Sequence, residues 1–338
     1  MNMCDCTALA LVAFVSLCSA WADTTPVAAP AARAVVPGVW LIPGSVRSDR
    51  QPDGNSVVFD APDGLVVVDT GRHPWHRDAI LALAGTRKSS VVAIVNTHWH
   101  LDHVSGNPAL RSAYPDLRVY ASDAIDGALK GFLATSAQES VGYLDDPQLP
   151  ATIREDIRAD VATIRNGAAL RPDVVISASA VMNIGGRKLG IRLATHAVTA
   201  GDVWLYDERD GLAVLGDLVT LPAPFLDTAC PEGWQAALER IEATPFEIAI
   251  PGHGSPMTRA QFRVYRGAFE AFVDCSNSRR PASECASGWA DSVEPLLADD
   301  PGGKPRARET AEYYVGVLRA GGGRSNYCSQ APAEPLAN

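Results

Sequence analysis

Three imidazoles and a carboxylate fall within Thr97-His98-Trp99-His100-Leu101-Asp102-His103. Imidazole nitrogen and carboxylate oxygen suit zinc or iron, and a site open to substrate needs its ligands on a loop at a strand end. The apolar run 91–95 directly before the motif supplies that strand. Side chains alternate along an extended segment, so His98 and His100 point the same way and can share one ion. If the chain then turns, Asp102 and His103 face a neighbouring position, which predicts two adjacent metals. Three more metal-capable residues follow later apolar runs: His196 after 191–195, Asp217 after 212–215, and His253 after 246–250. Ligands at the ends of several strands on one edge of a layered fold can converge, with Gly216 and Gly252 allowing close backbone approach. Five of the seven histidines thus enter one predicted site. The other two, His73 and His76, could border the pocket but are first expected to be surface histidines, and Trp99 either lines the cleft or packs.

The positioning elements are legible from periodicity and turn residues. Residues 39–42, 55–60 and 64–69 form a meander of short strands separated by Pro, Gly and Asp turns. A helix over 76–84 precedes the strand 91–95, and 119–121 is a further strand. Between about 124 and 172, apolar residues recur at helical spacing among many charges, which predicts an insertion of helices. Strand character returns at 191–195, 203–206 and 212–215, most economically as a second sheet. A helix over 232–243, a strand over 246–250, and helices over 258–273 and 308–320 complete the reading.

Of 338 residues, 47% are hydrophobic and 20% charged, an ordinary globular balance. A net charge of −10 without a run of Lys or Arg argues against nucleic acid and anionic membrane surfaces as partners. Residues 8–17 are largely apolar and are followed by Ala20-Trp21-Ala22, which predicts a signal peptide over 1–22, although the first six residues carry no Lys or Arg. The expected location is secreted or periplasmic, with no stable membrane anchor; the oligomeric state is not encoded legibly. Residues 23–37 read as a flexible linker. Cys230, Cys275, Cys285 and Cys328 would remain after cleavage and could form two disulfides in an oxidising compartment, their pairing left open. Cys275 with Cys285 is the easiest pair, and Cys230 with Cys328 would then tether a C-terminal extension over 276–338.

With Asp69 in Val68-Asp69-Thr70-Gly71, the 98–103 motif, His196, Asp217 and His253 in that order, the chain resembles the metallo-β-lactamase superfamily over roughly residues 39–256. The resemblance implies an α+β fold, a four-layer αββα sandwich spanning 38–275 with metals at one edge. It assigns His98, His100 and His196 to a first metal and Asp102, His103 and His253 to a second. Asp217 would bridge the two, and Asp69 would support the metal loop. The implied cofactor is two zinc ions, with iron or manganese as alternatives. A bridging hydroxide would attack an ester, lactone, thioester or amide bond of a small-molecule substrate, with Asp102 and Asp217 catalytic. Two departures stand out. Many members follow the third histidine closely with Thr-x-Gly, whereas His196-Ala197-Val198-Thr199-Ala200-Gly201 inserts two residues. Zinc β-lactamases usually carry Cys or Ser where this chain has Asp217, so a β-lactamase is the alternative rather than the first expectation. Further alternatives are a mononuclear iron sulfur dioxygenase and a non-catalytic metal-binding module.

Overall fold

The computed structural model describes residues 29–328; the expected signal peptide and the first part of the linker lie outside the described residues. Strands β1 (Arg33–Val36), β2 (Val39–Ile42), β3 (Ser56–Ala61) and β4 (Gly64–Val68) form the meander. Helix α1 (Pro74–Arg87), β5 (Val91–Val95), the single-turn α2 (Leu101–Val104), α3 (Asn107–Ala113) and β6 (Arg118–Ala121) follow. The insertion comprises α4 (Ala124–Lys130), α5 (Phe132–Tyr143) and α6 (Ala151–Arg165), after which β7 (Val174–Val175) closes the first sheet in the order β1-β2-β3-β4-β5-β6-β7.

Strands β8 (Ala180–Ile184), β9 (Arg187–Thr195), β10 (Gly201–Asp207) and β11 (Leu212–Thr220) begin the second sheet. Helix α7 (Pro231–Ala243), β12 (Ile248–His253), β13 (Met257–Thr258), α8 (Arg259–Ser276), α9 (Ala282–Val293) and α10 (Gly303–Ala320) complete the chain. The second sheet runs β13-β12-β11-β10-β9-β8.

Why four layers form is visible in β4. Its Leu65-Val66-Val67-Val68 run is apolar on both faces because both are covered. Val66 and Val68 pack between the sheets against residues such as Ile191, Val203 and Val214, whereas Leu65 and Val67 pack outward with Ile80, Leu83 and Leu110 under α1 and α3. The far face of the second sheet is covered by α7 to α10, with Trp234, Phe269, Trp289 and Val315 in one core with Trp204 and Leu215. The result is the expected helix–sheet–sheet–helix sandwich.

Three expectations need adjustment. Residues 33–36 of the expected linker are a strand, because Ala34-Val35-Val36 pairs antiparallel with β2. The chain beyond residue 276 contributes Trp289, Ala311 and Val315 to the main core, so α9 and α10 complete the outer layer. Finally, β11 runs through Asp217 to Thr220 and β12 through His253, since their parallel pairing continues past irregularities at Gly216. Cys275 pairs with Cys285, and Cys230 with Cys328, at Cα separations of 5.5 and 5.1 Å.

Candidate metal centre

The predicted ligands arrive from three places on one edge of the sandwich. His98 and His100 sit on the loop after β5, Asp102 and His103 on α2, Asp217 inside β11, and His253 at the end of β12. All six are buried. Close approach of the last two strands depends on Gly252, where a Cβ would lie 2.0 Å from Asp217 Oδ1. Gly54 has the same role beside His103, whose ring would be 2.4 Å from an added Cβ.

Two donor groups result, His98 with His103 and Asp217, and Asp102 with His103 and His253. Asp217 reaches both with different oxygens. Its Oδ1 lies 3.2 Å from His103 Nε2 and 3.6 Å from His253 Nε2, while Oδ2 lies 3.6 Å from His98 Nε2 and 3.9 Å from His100 Nδ1. His98 Nε2 and Asp217 Oδ1 are buried with no hydrogen-bond partner. An uncompensated polar atom in the interior costs about 1–3 kcal/mol, so these two orphans within the donor cluster fit cations that accept their lone pairs.

Neighbouring residues fix which nitrogen faces inward. Asp69, just past β4 with φ +59°, accepts from Thr97 N at 2.8 Å, Thr97 Oγ1 at 2.6 Å and His103 Nδ1 at 2.8 Å. A carboxylate only accepts, so His103 carries its proton on Nδ1 and presents the Nε2 lone pair to the centre. Because the Thr97 hydroxyl spends its hydrogen on Asp69, it accepts from His98 Nδ1 at 2.9 Å, which leaves His98 Nε2 free. Thr228 Oγ1 donates to Val198 O at 2.9 Å and so accepts from His100 Nε2 at 3.1 Å, turning His100 Nδ1 inward. His98, His100 and His103 are therefore each set as a ligand by a partner on the other nitrogen.

The field inside the cluster is strong in both directions. Burial disfavours a charged His103, but the carboxylates of Asp217, Asp102 and Asp69 hold its pKa well above the ordinary imidazole value. Burial likewise disfavours ionised Asp217, which His103, His253 and His98 nevertheless hold well below the ordinary carboxylate range. His98 is driven well down by burial and by the imidazoles of His103 and His100. A bound cation supplies the charge these protons otherwise supply.

His196 stands apart. It is half-buried, takes a left-handed conformation at φ +52°, belongs to neither donor group and does not line the cavity above the centre. Its carbonyl is pressed against Gly233 at the start of α7.

His73 and His76, expected at the surface, are buried, His73 against Asp156 of the insertion and His76 against Ser56 and Gly71. His73 Nδ1 meets Asp53 at 2.7 Å and its Nε2 lies 3.3 Å from Asp156 of α6, while His76 Nε2 bonds Ser56 Oγ at 2.9 Å. Burial pulls the His73 pKa down, yet Asp156 and Asp53 raise it overall. Arg72, which the sequence reading passed over, is ion-paired with Asp160 of α6 and lies 3.8 Å from Asp102. A lone Arg in a loop carries no spacing signal, so nothing in the sequence marks this position.

Above the donors lies a cavity of about 360 Å³, floored by His100, Asp102, Asp217 and His253. Its walls are mainly apolar: Phe132 and Leu133 from α5, Val161 and Ile164 from α6, Leu221 to Phe225 after β11, and Tyr313 and Tyr314 from α10. Trp99 both lines this cavity and packs with Leu133 and Leu170 beneath the insertion. The helical insertion is therefore wall and packing element at once.

A family model described as the metallo-β-lactamase superfamily matches residues 50–253. A linear primary-alkylsulfatase from Pseudomonas sp. is 26% identical over 227 residues, 60% of this chain; the chain spans only 41% of that relative's length. Metallo-beta-lactamase domain-containing protein 1 of Rattus norvegicus is 29% identical over 249 residues, 71% of this chain and 80% of the relative. Among solved structures, a stereoselective inverting sec-alkylsulfatase from Pseudomonas sp. superposes with a TM-score of 0.59 at 18% identity, over 90% of this chain and 52% of that one. A metallo-β-lactamase from Pontibacter korlensis gives 0.52 at 17% identity, over 71% and 98%. At these identities the structural likenesses bear on fold alone.

Proposed function

Because the chain belongs to the metallo-β-lactamase superfamily, we propose that it is an exported hydrolase with a two-zinc centre, cleaving an ester, lactone, thioester or amide bond in a small molecule with an apolar substituent. The observation that carries this reading is the buried convergence of His98, His100, Asp102, His103, Asp217 and His253 at the floor of an apolar cavity. Divalent ions held there would supply Lewis acidity and lower the pKa of water toward neutrality.

The chain's own residues do the rest. Phe132, Val161, Ile164 and Phe225 exclude water and hold the apolar part of the substrate by burial. The floor then meets the scissile group from one side only. Asp102 Oδ2, 3.0 Å from His253 Nε2, is placed to orient a proton on the attacking water or return it to the leaving atom. Arg72, also at the cavity, pairs with both Asp102 and Asp160 of α6, so one guanidinium ties that carboxylate to the insertion. Export is supported by two disulfides and by the leader-like first 22 residues. No helix among the described residues is long and apolar enough to cross a membrane.

A second reading, hydrolysis of an alkyl sulfate ester, is favoured by the alkylsulfatase among the relatives and by the apolar cavity, which suits an alkyl chain. One experiment separates these: metal quantification after purification without chelators, coupled to turnover of lactones, carboxylic esters, thioesters, β-lactams and alkyl sulfates of graded chain length. Metal content with carbon-centred hydrolysis is the expected result; alkyl sulfate turnover alone would transfer the assignment to the second reading. A metal-free protein without turnover of any class refutes both.

A further inference from the structure

The mainly apolar cavity above the donors contains one permanent cation. Among the described residues that line it, Arg72 is the only arginine or lysine. A guanidinium keeps its charge and directs its N–H groups along fixed lines. Where those lines end decides what the cavity can hold.

Most of this guanidinium is committed to the protein. Nε donates to Pro52 O at 3.0 Å, and Nη1 is bonded to Asp160 of α6. The backbone beneath is pinned as well, with Arg72 N donating to Asp53 Oδ1 at 2.6 Å. Nη2 is the open edge. It stands 3.8 Å from Asp102 Oδ1, an ion pair too long for a hydrogen bond, and has no hydrogen-bond partner among the described residues. Unlike His98 Nε2 it is not sealed in the interior, so it opens on the cavity beside the floor. The side chain is only 12% exposed, which leaves it little room to swing out to water. The carboxylates of the lining do not fill this edge: Asp102 and Asp217 belong to the donor groups, Asp160 is spent on Nη1, and Glu309 of α10 is exposed.

An unfilled N–H pair on a fixed, largely desolvated cation is best matched by an oxyanion, because hydrogen bonds between charged groups are the strong ones. We propose that Arg72 Nη2 anchors a carboxylate of the substrate, so that the small molecule carries an acidic group near its scissile bond as well as an apolar substituent. The scissile group then lies on the floor and the carboxylate beside Asp102, while Phe132, Val161 and Ile164 take the apolar part. The inference rests on the hydrolase reading for the reaction and adds the class of substrate. Asp160 tunes the anchor, because it competes for the same guanidinium.

The test compares hexanoate with pentyl methyl ketone, which share shape and apolar chain and differ in charge, by calorimetry on the metal-replete full chain. Hexanoate should bind about 10–100-fold tighter, the range that a hydrogen bond to a charged group supplies. In variants matched to wild type in zinc content and circular dichroism, Arg72→Gln should abolish that difference and Arg72→Lys should restore part of it. Asp160→Asn should widen it by releasing Nη1. Equal affinity for the two probes overturns the inference. So does a preference that survives Arg72→Gln, which would assign the carboxylate to the metals alone, or one that Asp160→Asn weakens, which would leave Arg72 a structural tie. Should Arg72→Gln fail to fold, the sign of the Asp160→Asn change decides. An ester bearing a free carboxylate should exceed its neutral methyl-ketone counterpart in kcat/KM by a similar factor. No turnover of either, with the binding preference intact, overturns the hydrolase reading and leaves the anchor standing.

Discussion

Asp69→Asn isolates a residue that orders the centre without touching its middle. The position has φ +59°, a conformation Asn tolerates better than most residues, so the substitution adds little backbone strain. What changes is hydrogen-bond polarity. Asp69 accepts three bonds, two on Oδ2 from Thr97 Oγ1 and His103 Nδ1, and one on Oδ1 from Thr97 N. An asparagine with its oxygen at the Oδ2 place turns an NH2 group on the Thr97 N–H. With its oxygen at the Oδ1 place, the NH2 group faces His103 Nδ1 and selects the tautomer that carries a proton on Nε2. The first arrangement sets donor against donor in the interior, for about 1–3 kcal/mol of stability. The second removes the His103 Nε2 lone pair, which both donor groups share. The first keeps the His103 tautomer and is read as lost stability, whereas the second should lower zinc affinity about 10–100-fold, which is about 1.4–2.8 kcal/mol. Chelator competition measures the affinity, and thermal unfolding with and without zinc measures the stability. Wild-type zinc affinity together with wild-type stability in the Asp69→Asn protein would refute the argument that the Asp69 acceptors order the Thr97 and His103 donors.

Phe132→Ala opens the apolar wall, and a substituent contact in such a pocket is worth about 1–3 kcal/mol. Activity on substrates with long apolar groups should drop at least about tenfold in kcat/KM, while short ones change little; equal loss across chain lengths would show that the wall does not select. His73 lies between Asp53 and Asp156, and its pKa is raised from 6.5 while theirs are lowered from 3.8. The imidazolium's contribution is fully present below 6.5 and lost as pH rises through the raised value; the carboxylates' contribution is present above 3.8 and lost as pH falls. The Tm gap between wild type and His73→Gln should be widest near pH 5–6 and narrow on the alkaline side, and a gap independent of pH would count against the bridge. Opening the Cys230–Cys328 disulfide, which closes a 98-residue separation, should cost about 2–5 kcal/mol in denaturant unfolding of Cys230→Ser/Cys328→Ser. An unchanged midpoint would show that the tail, whose Tyr327 ring lies 5.1 Å from Phe132, adds nothing to the cavity wall's stability.

What the sequence decided by itself is short-range. The spacing within 98–103 places four ligands on one loop and one helical turn because backbone geometry fixes side-chain direction over a few residues. Uninterrupted apolar runs such as 64–68 require cover on both faces, which is enough to call for layered sheets. Asp217 and His253 were also readable, since each follows an apolar run and a glycine.

His196 also follows a strand-like run, though without a glycine, and there the local argument stops: whether its ring enters the centre depends on how the loop 196–200 is held by α7 and Thr228. That is decided by Gly233 against the His196 carbonyl and by Cys230 N bonding Ala197 O at 2.8 Å, contacts more than thirty residues distant in the chain. The burial of His73 needs α6 to fold back over α1, and the substrate cavity needs α5, the 221–225 segment and α10 to meet. Sequence periodicity says which face of a helix is apolar; only the packed fold says what that face is turned toward. The ligand types were thus written in the chain, while the contacts from Asp69, Thr97 and Thr228 that turn the rings toward one centre came from tertiary packing.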